Sequence, residues 1–199
     1  MKLILATNNK SKLREFKSLV GNMDVEVIGQ RDAGYELDVE ETGATFEENA
    51  YLKAKALCDA SGCIAFADDS GLMVDALGGE PGVYSARYGP GHDASDKDRN
   101  DYLLAKLGDE KNRSARFVCC ICCVFPDGSR IETRGEMKGS ILYAPRGENG
   151  FGYDPLFMPE GKDRTNAELS AEEKNAISHR GKALRQFIKA FEEYCNDNK

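Results

Sequence analysis

Ile64-Ala65-Phe66-Ala67-Asp68-Asp69-Ser70-Gly71-Leu72 is the stretch around which the rest of the chain is organised. Its apolar start, bounded by Gly62, reads as a buried strand that ends at the acidic pair. Two adjacent carboxylates are expensive to desolvate at the end of a buried strand. They persist in such a place when a cation neutralises them or when one of them moves protons. Carboxylate oxygens are also the hard ligands that Mg²⁺ or Mn²⁺ takes. A polar turn with both aspartates in water fits the pair equally well, so the decision rests on the other blocks of the chain.

Working outward, Lys2-Leu3-Ile4-Leu5-Ala6 forms a first strand, followed by Thr7-Asn8-Asn9-Lys10-Ser11-Lys12. Leu13, Phe16, Leu19 and Val20 then recur at helical spacing, and Gly21 is the expected stop. Side-chain amides, two lysines and the N–H groups of a helix start therefore converge on one junction, an arrangement suited to phosphate. An N-cap with a solvated basic turn is the plainer reading, and the glycines of a P-loop are missing. Residues 25–28 read as a second strand. Thr45 and Glu48 form a capping box opening a helix to about Ala60, with Lys53 in mid-helix and Glu40-Glu41 just ahead of it. Glu41 could share a metal with Asp69, or the acidic run could simply complement the helix dipole.

Ser95 to Leu107 reads as a helix ended by Gly108, and Arg116 to Val124 as a strand turned by Pro126-Asp127-Gly128 into a hairpin with residues 129–138. That strand holds four of the seven cysteines, Cys119-Cys120-Ile121-Cys122-Cys123. Consecutive strand residues face opposite ways, so these thiols cannot converge on one metal and read as small apolar residues of a central strand. Gly150-Phe151-Gly152-Tyr153-Asp154 offers ring faces between glycines with an acceptor beside them, which suits a flat heterocycle. A strand entered through a glycine-rich loop, with both rings in the core, suits it equally. Ser170 and Glu173 open a further helix. Lys174, Ser178, His179 and Arg180 form a polar cluster ahead of Gly181, and an amphipathic helix closes the chain from Ala183.

Composition narrows the function. At 199 residues the chain is long enough for a single domain with lobes, and 41% hydrophobic with 31% charged residues is ordinary for a globular protein. A net charge of −7 without a basic block excludes general binding to nucleic acid or anionic membranes. The longest apolar run, Phe117 to Phe125, is too short to span a bilayer. The N-terminus enters a strand directly without a leader, and an odd number of thiols suits a reducing compartment, so a cytoplasmic location is expected.

Six blocks in order, residues 7–12, 40–50, 67–72, 78–88, 150–155 and 177–181, make the chain resemble the inosine triphosphate pyrophosphatase (XTP/dITP diphosphatase) family over essentially its whole length. The resemblance implies an elongated, two-lobed α/β subunit with a long mixed central sheet flanked by helices, a cleft between the lobes, and a homodimer. It implies Mg²⁺-dependent hydrolysis of ITP, dITP and XTP to the monophosphate and pyrophosphate, with Mn²⁺ as a substitute. By motif, Thr7, Asn8, Asn9, Lys10, Ser11 and Lys12 would hold the triphosphate, although Asn9 stands where relatives often carry glycine. Asp69 would accept the proton of the attacking water, bind metal, or both. Glu41, with Glu40 as the lesser candidate, would be a metal ligand. Asp68 would support the acidic cluster, Lys53 would lie near the phosphates, and Ser70 would touch the substrate. Phe151, Gly152, Tyr153, Asp154, Lys174, His179 and Arg180 would form the base pocket. Two other classes compete: a phosphatase using Asp68 or Asp69 as nucleophile, and a non-catalytic nucleotide or metal sensor built on the cysteines.

Overall fold

The computed structural model describes residues 2–19, 26–91 and 94–197. Strands β1 (Lys2–Leu5), β2 (Glu26–Gly29), β3 (Ala65–Val74), β4 (Ser114–Val124), β5 (Arg130–Ile141) and β6 (Phe157–Pro159) form one sheet in the order β2-β1-β3-β4-β5-β6. β1 runs parallel to both β2 and β3, whereas β6 pairs antiparallel with β5, so the sheet is mixed. Five α-helices lie among the described residues: α1 (Lys10–Leu19), α2 (Phe46–Ser61), α3 (Asp96–Leu107), α4 (Ala171–Ile177) and α5 (His179–Asp197). None of the helices among the described residues is long and apolar enough to cross a membrane.

The chain forms two compact units. One contains Met1–Asp69, Cys119–Gly135 and Arg180–Lys199, and the other contains Ser70–Val118 and Glu136–His179. In the first, the alternation of strand side chains builds two cores. Leu3, Leu5, Phe66, Cys119, Ile121 and Cys123 point to the face covered by Phe16 of α1 and by Leu184, Phe187 and Phe191 of α5. Ile4, Ala6, Ala65, Ala67, Cys122 and Val124 point to the other face, covered by Ala50, Ala54 and Leu57 of α2. The cysteines therefore divide between the two faces as small core residues, which bears out the strand reading. Among the described residues, no group of three His, Cys, Asp or Glu side chains is placed to hold a metal ion. The second unit packs Leu72, Val74, Leu103, Leu107, Met137, Ile141 and Phe157 around Tyr153 and Leu156.

Local signals set most element ends. Thr45, Ser95 and Ser170 each close a full capping box at the starts of α2, α3 and α4. Two boundaries differ from expectation by four residues or more. β3 does not stop at the acidic pair but runs on to Val74, so Asp68 and Asp69 lie in mid-strand. The closing helix starts at His179 and passes through Gly181, four residues before the expected start at Ala183. The expected helix stop at Gly21 and the expected strand start at Val25 lie outside the described residues.

Candidate active site

The pleat of β3 separates the two aspartates. Asp68 shares the face of Phe66, and Asp69 shares the face of Ala65 and Ala67. Both are buried, at 1% and 5% exposure, so each needs a partner.

Asp68 meets cations on the α1–α5 face. Lys12 Nζ lies 3.0 Å from its Oδ2, and Arg180 Nη2 lies 3.5 Å from the same atom. Arg180 is itself buried, pairs with Glu15 and lies over the Phe16 ring. Cys119 Sγ approaches Asp68 Oδ2 at 3.9 Å. Burial alone would raise the Asp68 pKa, but Lys12, Arg180 and Lys53 overcome it and hold the carboxyl far below its ordinary range. Asp68 is thus a permanent anion that anchors Lys12.

Asp69 has a different setting. Its Oδ2 accepts from Asn49 Nδ2 at 3.2 Å, and its Oδ1 lies 3.4 Å from Lys53 Nζ. Burial and the neighbouring acids Glu41 and Asp68 raise its pKa, against the opposing pull of Lys53 and Lys12. Lys53 also donates to Glu41 Oε1 at 2.6 Å. Burial disfavours its charge, yet Asp69, Asp68 and Glu41 hold its pKa above the usual lysine value. So Lys53 is not a solvated mid-helix lysine: its ammonium joins the two carboxylates expected to bind metal. Glu40 is exposed one residue away.

Asn49 escaped the sequence reading, although it lies within the 40–50 block. It is fully buried, donates to Asp69 and accepts the Gly43 N–H at 2.8 Å, tying the acidic loop to α2. The available signal was an amide on the apolar face of α2, beside Ala50.

The Thr7–Lys12 junction is built as a cap. Asn9 Oδ1 accepts from the N–H groups of Ser11 and Lys12, and Thr7 Oγ1 accepts from Asn9 N–H. Asn8 donates to Leu37 O and accepts from Gln30, so its amide anchors the loop after β2. Lys10 is exposed at the first position of α1.

In the second unit, the Gly150–Leu156 segment is a loop rather than a strand. Phe151 is half-buried, and Lys174 Nζ lies over its ring at 5.0 Å from the centroid. Asp154 accepts from Lys174 at 2.7 Å, from the Phe151 N–H at 3.0 Å and from Asn166 at 3.1 Å. The Gly152 backbone, at φ +62°, is held by Asp96 and Asn100 of α3. Two further residues expected in the pocket are buried. Tyr153 is a core residue, 4% exposed, whose hydroxyl donates to Ser85 O. His179 stacks on Phe117 with centroids 4.9 Å apart. Ser70 is half-buried in β3. Arg180, also expected in the base pocket, is the buried partner of Asp68 and Glu15 described above.

Comparison with known proteins places this arrangement. The sequence signature of the Ham1 family matches residues 3–190. The chain belongs to the Ham1 family. Among Ham1 relatives, the dITP/XTP pyrophosphatase of Deinococcus deserti is 53% identical over 92% of this chain and 85% of its own length. That of Streptomyces avermitilis is 50% identical over 94% and 95%. The solved structure of a Ham1 protein from Coxiella burnetii superposes with a TM-score of 0.89 at 42% identity, over 97% of this chain and 99% of that one. That of Staphylococcus aureus gives 0.86 at 44%, over 97% and 98%. The Ham1 fold accounts for the mixed sheet and its flanking helices.

Proposed function

We propose that this Ham1 protein hydrolyses the non-standard purine nucleoside triphosphates ITP, dITP and XTP to the nucleoside monophosphate and pyrophosphate, clearing them from the nucleotide pool. The observation that carries the chemistry is Asp69: a buried carboxylate with a raised pKa, oriented by Asn49 and set beside Lys53. A base for water attack needs this placement within reach of a proton and a pKa moved toward neutrality.

Glu41 and Asp69 would hold Mg²⁺, with Mn²⁺ as a substitute. The fit rests on donor chemistry, because the Lys53 ammonium already spans these two hard carboxylates. Mg²⁺ is commonly bound by one or two carboxylates together with substrate phosphates. When bound, the metal would neutralise charge on the triphosphate. Lys53 and Lys12 supply the remaining positive charge, with Lys12 braced on Asp68. Attack by water at phosphorus depends on positioning and charge neutralisation more than on covalent help. Asp69 takes the proton of that water, and pyrophosphate leaves.

Phe151 offers a face to the purine, and Lys174 a donor to its 6-oxo group, where adenine would present an amino group. This favours hypoxanthine and xanthine. The enzyme acts as a cytoplasmic homodimer in this reading, which size-exclusion chromatography with light scattering tests. The function is tested by a product assay on ITP, XTP, GTP and ATP with Mg²⁺. Monophosphate and pyrophosphate from ITP and XTP, with little attack on ATP, are expected. Release of orthophosphate from ITP would point to a phosphatase and overturn the reading.

A further inference from the structure

Asp154 lies among groups suited to reading a base, yet both of its oxygens are already engaged within the unit. Oδ2 takes the Lys174 ammonium and the Phe151 N–H, and Oδ1 takes Asn166 Nδ2. The carboxylate also presses on Gly150, where a Cβ would fall 2.1 Å from Oδ2. Asp154 is part of a frame that aims Lys174.

Asn166 completes that frame. It is fully buried, and only its amide NH₂ can face a carboxylate, which fixes its orientation. Its Oδ1 is then left buried without a hydrogen-bond partner among the described residues. An apolar residue here would leave the buried Asp154 Oδ1 without that donor, so the asparagine serves the carboxylate rather than packing alone. The turn carrying it is clamped to the Arg146–Asp154 segment. Thr165 Oγ1 donates to Arg146 O, Asn149 N–H to Ala167 O, and Ala167 N–H to Asp154 O. A donor held this firmly restricts rotation of Asp154 and, through it, the direction of Lys174.

We propose that Asn166 is a positioning residue for base selection, fixing Asp154 so that the Lys174 ammonium is aimed at the 6-oxo group of the purine. This rests on the reading of the chain as a nucleoside triphosphate pyrophosphohydrolase.

The test is a double-mutant cycle on the full-length enzyme, measuring kcat/KM for ITP, XTP and ATP in wild type, Asn166→Leu, Lys174→Met and the double variant. Asn166→Leu lowers kcat/KM for ITP and XTP by roughly tenfold, the scale of coupling between contacting residues, and leaves the residual ATP rate unchanged. Its melting temperature falls modestly, because the buried Asp154 Oδ1 loses a donor. In the Lys174→Met background the same substitution causes no further loss. Unchanged selectivity, an equal loss on ATP, or losses that multiply with Lys174→Met would each overturn the proposal while leaving the proposed function standing. A wild type inactive on ITP and XTP would overturn the proposed function and this inference together. If Asn166→Leu fails to fold, Asn166→Ala in the same cycle decides by the same criteria.

Discussion

Asp68 and Asp69 are neighbours in one strand, yet the structure drives their acidities in opposite directions. Asp68 faces Lys12 and Arg180 and is held ionised, whereas Asp69 faces α2, and burial with Glu41 and Asp68 pushes it up. The pleat of β3 creates this division, giving the two carboxylates separate sets of partners. A raised folded-state pKa means that the ionised form of Asp69 opposes folding once the pH exceeds its unfolded value. Asp69→Asn therefore raises the melting temperature in buffer without divalent cations while reducing kcat by roughly 10³-fold. Near-normal turnover in this variant would remove Asp69 from the mechanism.

Asp68→Asn has the opposite effect on stability. It leaves the Arg180 guanidinium and the Lys12 ammonium without their shared buried anion, a change that typically costs about 3–5 kcal/mol. Urea unfolding at neutral pH measures it. A loss comparable to that of a surface substitution would show that Glu15 alone satisfies Arg180.

Asn49 orients the base. In Asn49→Leu, Asp69 Oδ2 loses its donor and the Gly43 N–H loses its acceptor. The expected result is a fall in kcat of roughly 10–100-fold with a smaller change in KM, since the interaction acts on the group that moves the proton. Steady-state kinetics on ITP decides it, and an effect confined to KM would contradict the orienting role.

Glu173 caps the helix that carries Lys174. Its hydrogen bond to Arg164 and that from the Ser170 N–H hold its pKa down to about 2. With the folded pKa below the unfolded one, its stabilisation is present above about 4.5 and is lost as the pH falls toward 2. Glu173→Gln therefore lowers the melting temperature at neutral pH, and the difference from wild type narrows below about 4.5. A difference that stays constant with pH would mean that the charge does not matter.

Burial pushes the thiols of Cys119 and Cys122 up to about 12, and raises those of Cys120 and Cys123 as well. Only the thiolate is the nucleophile, so these four are inert in the native protein. Of the seven cysteines, Cys63 is exposed and Cys195 half-buried. A disulfide reagent at neutral pH should titrate Cys63 rapidly, Cys195 slowly and the rest only in denaturant. Rapid reaction of the Cys119–Cys123 run would revive a redox or metal role for it.

Much of this protein was readable as local chemistry. The capping boxes at Thr45, Ser95 and Ser170 name helix starts because a hydroxyl and an acid three residues apart satisfy orphan N–H groups whatever the surroundings. The ordered motifs likewise named the family, and alternation along the cysteine strand showed that its thiols could not share a metal. The extent of β3 was hidden, because two adjacent aspartates look like a strand end until their partners are known. Those partners, Lys12 on α1, Asn49 and Lys53 on α2, and Arg180 on α5, come from three separated stretches of the chain.

For the same reason the roles of single side chains needed the fold. Tyr153 and Arg180 lie in blocks that suggest a base pocket, and the fold adds that one is bonded within a core and the other is a buried counterion. Asn49 and Asn166 drew no attention, and each donates a hydrogen bond to a buried carboxylate. Periodicity, caps and motif order depend on neighbours along the chain, so the sequence alone determined the elements, the family and the acidic pair. Burial and charge pairing depend on neighbours in space, so only the tertiary structure decided which aspartate is held ionised, which has its pKa raised, and which side chains each one meets.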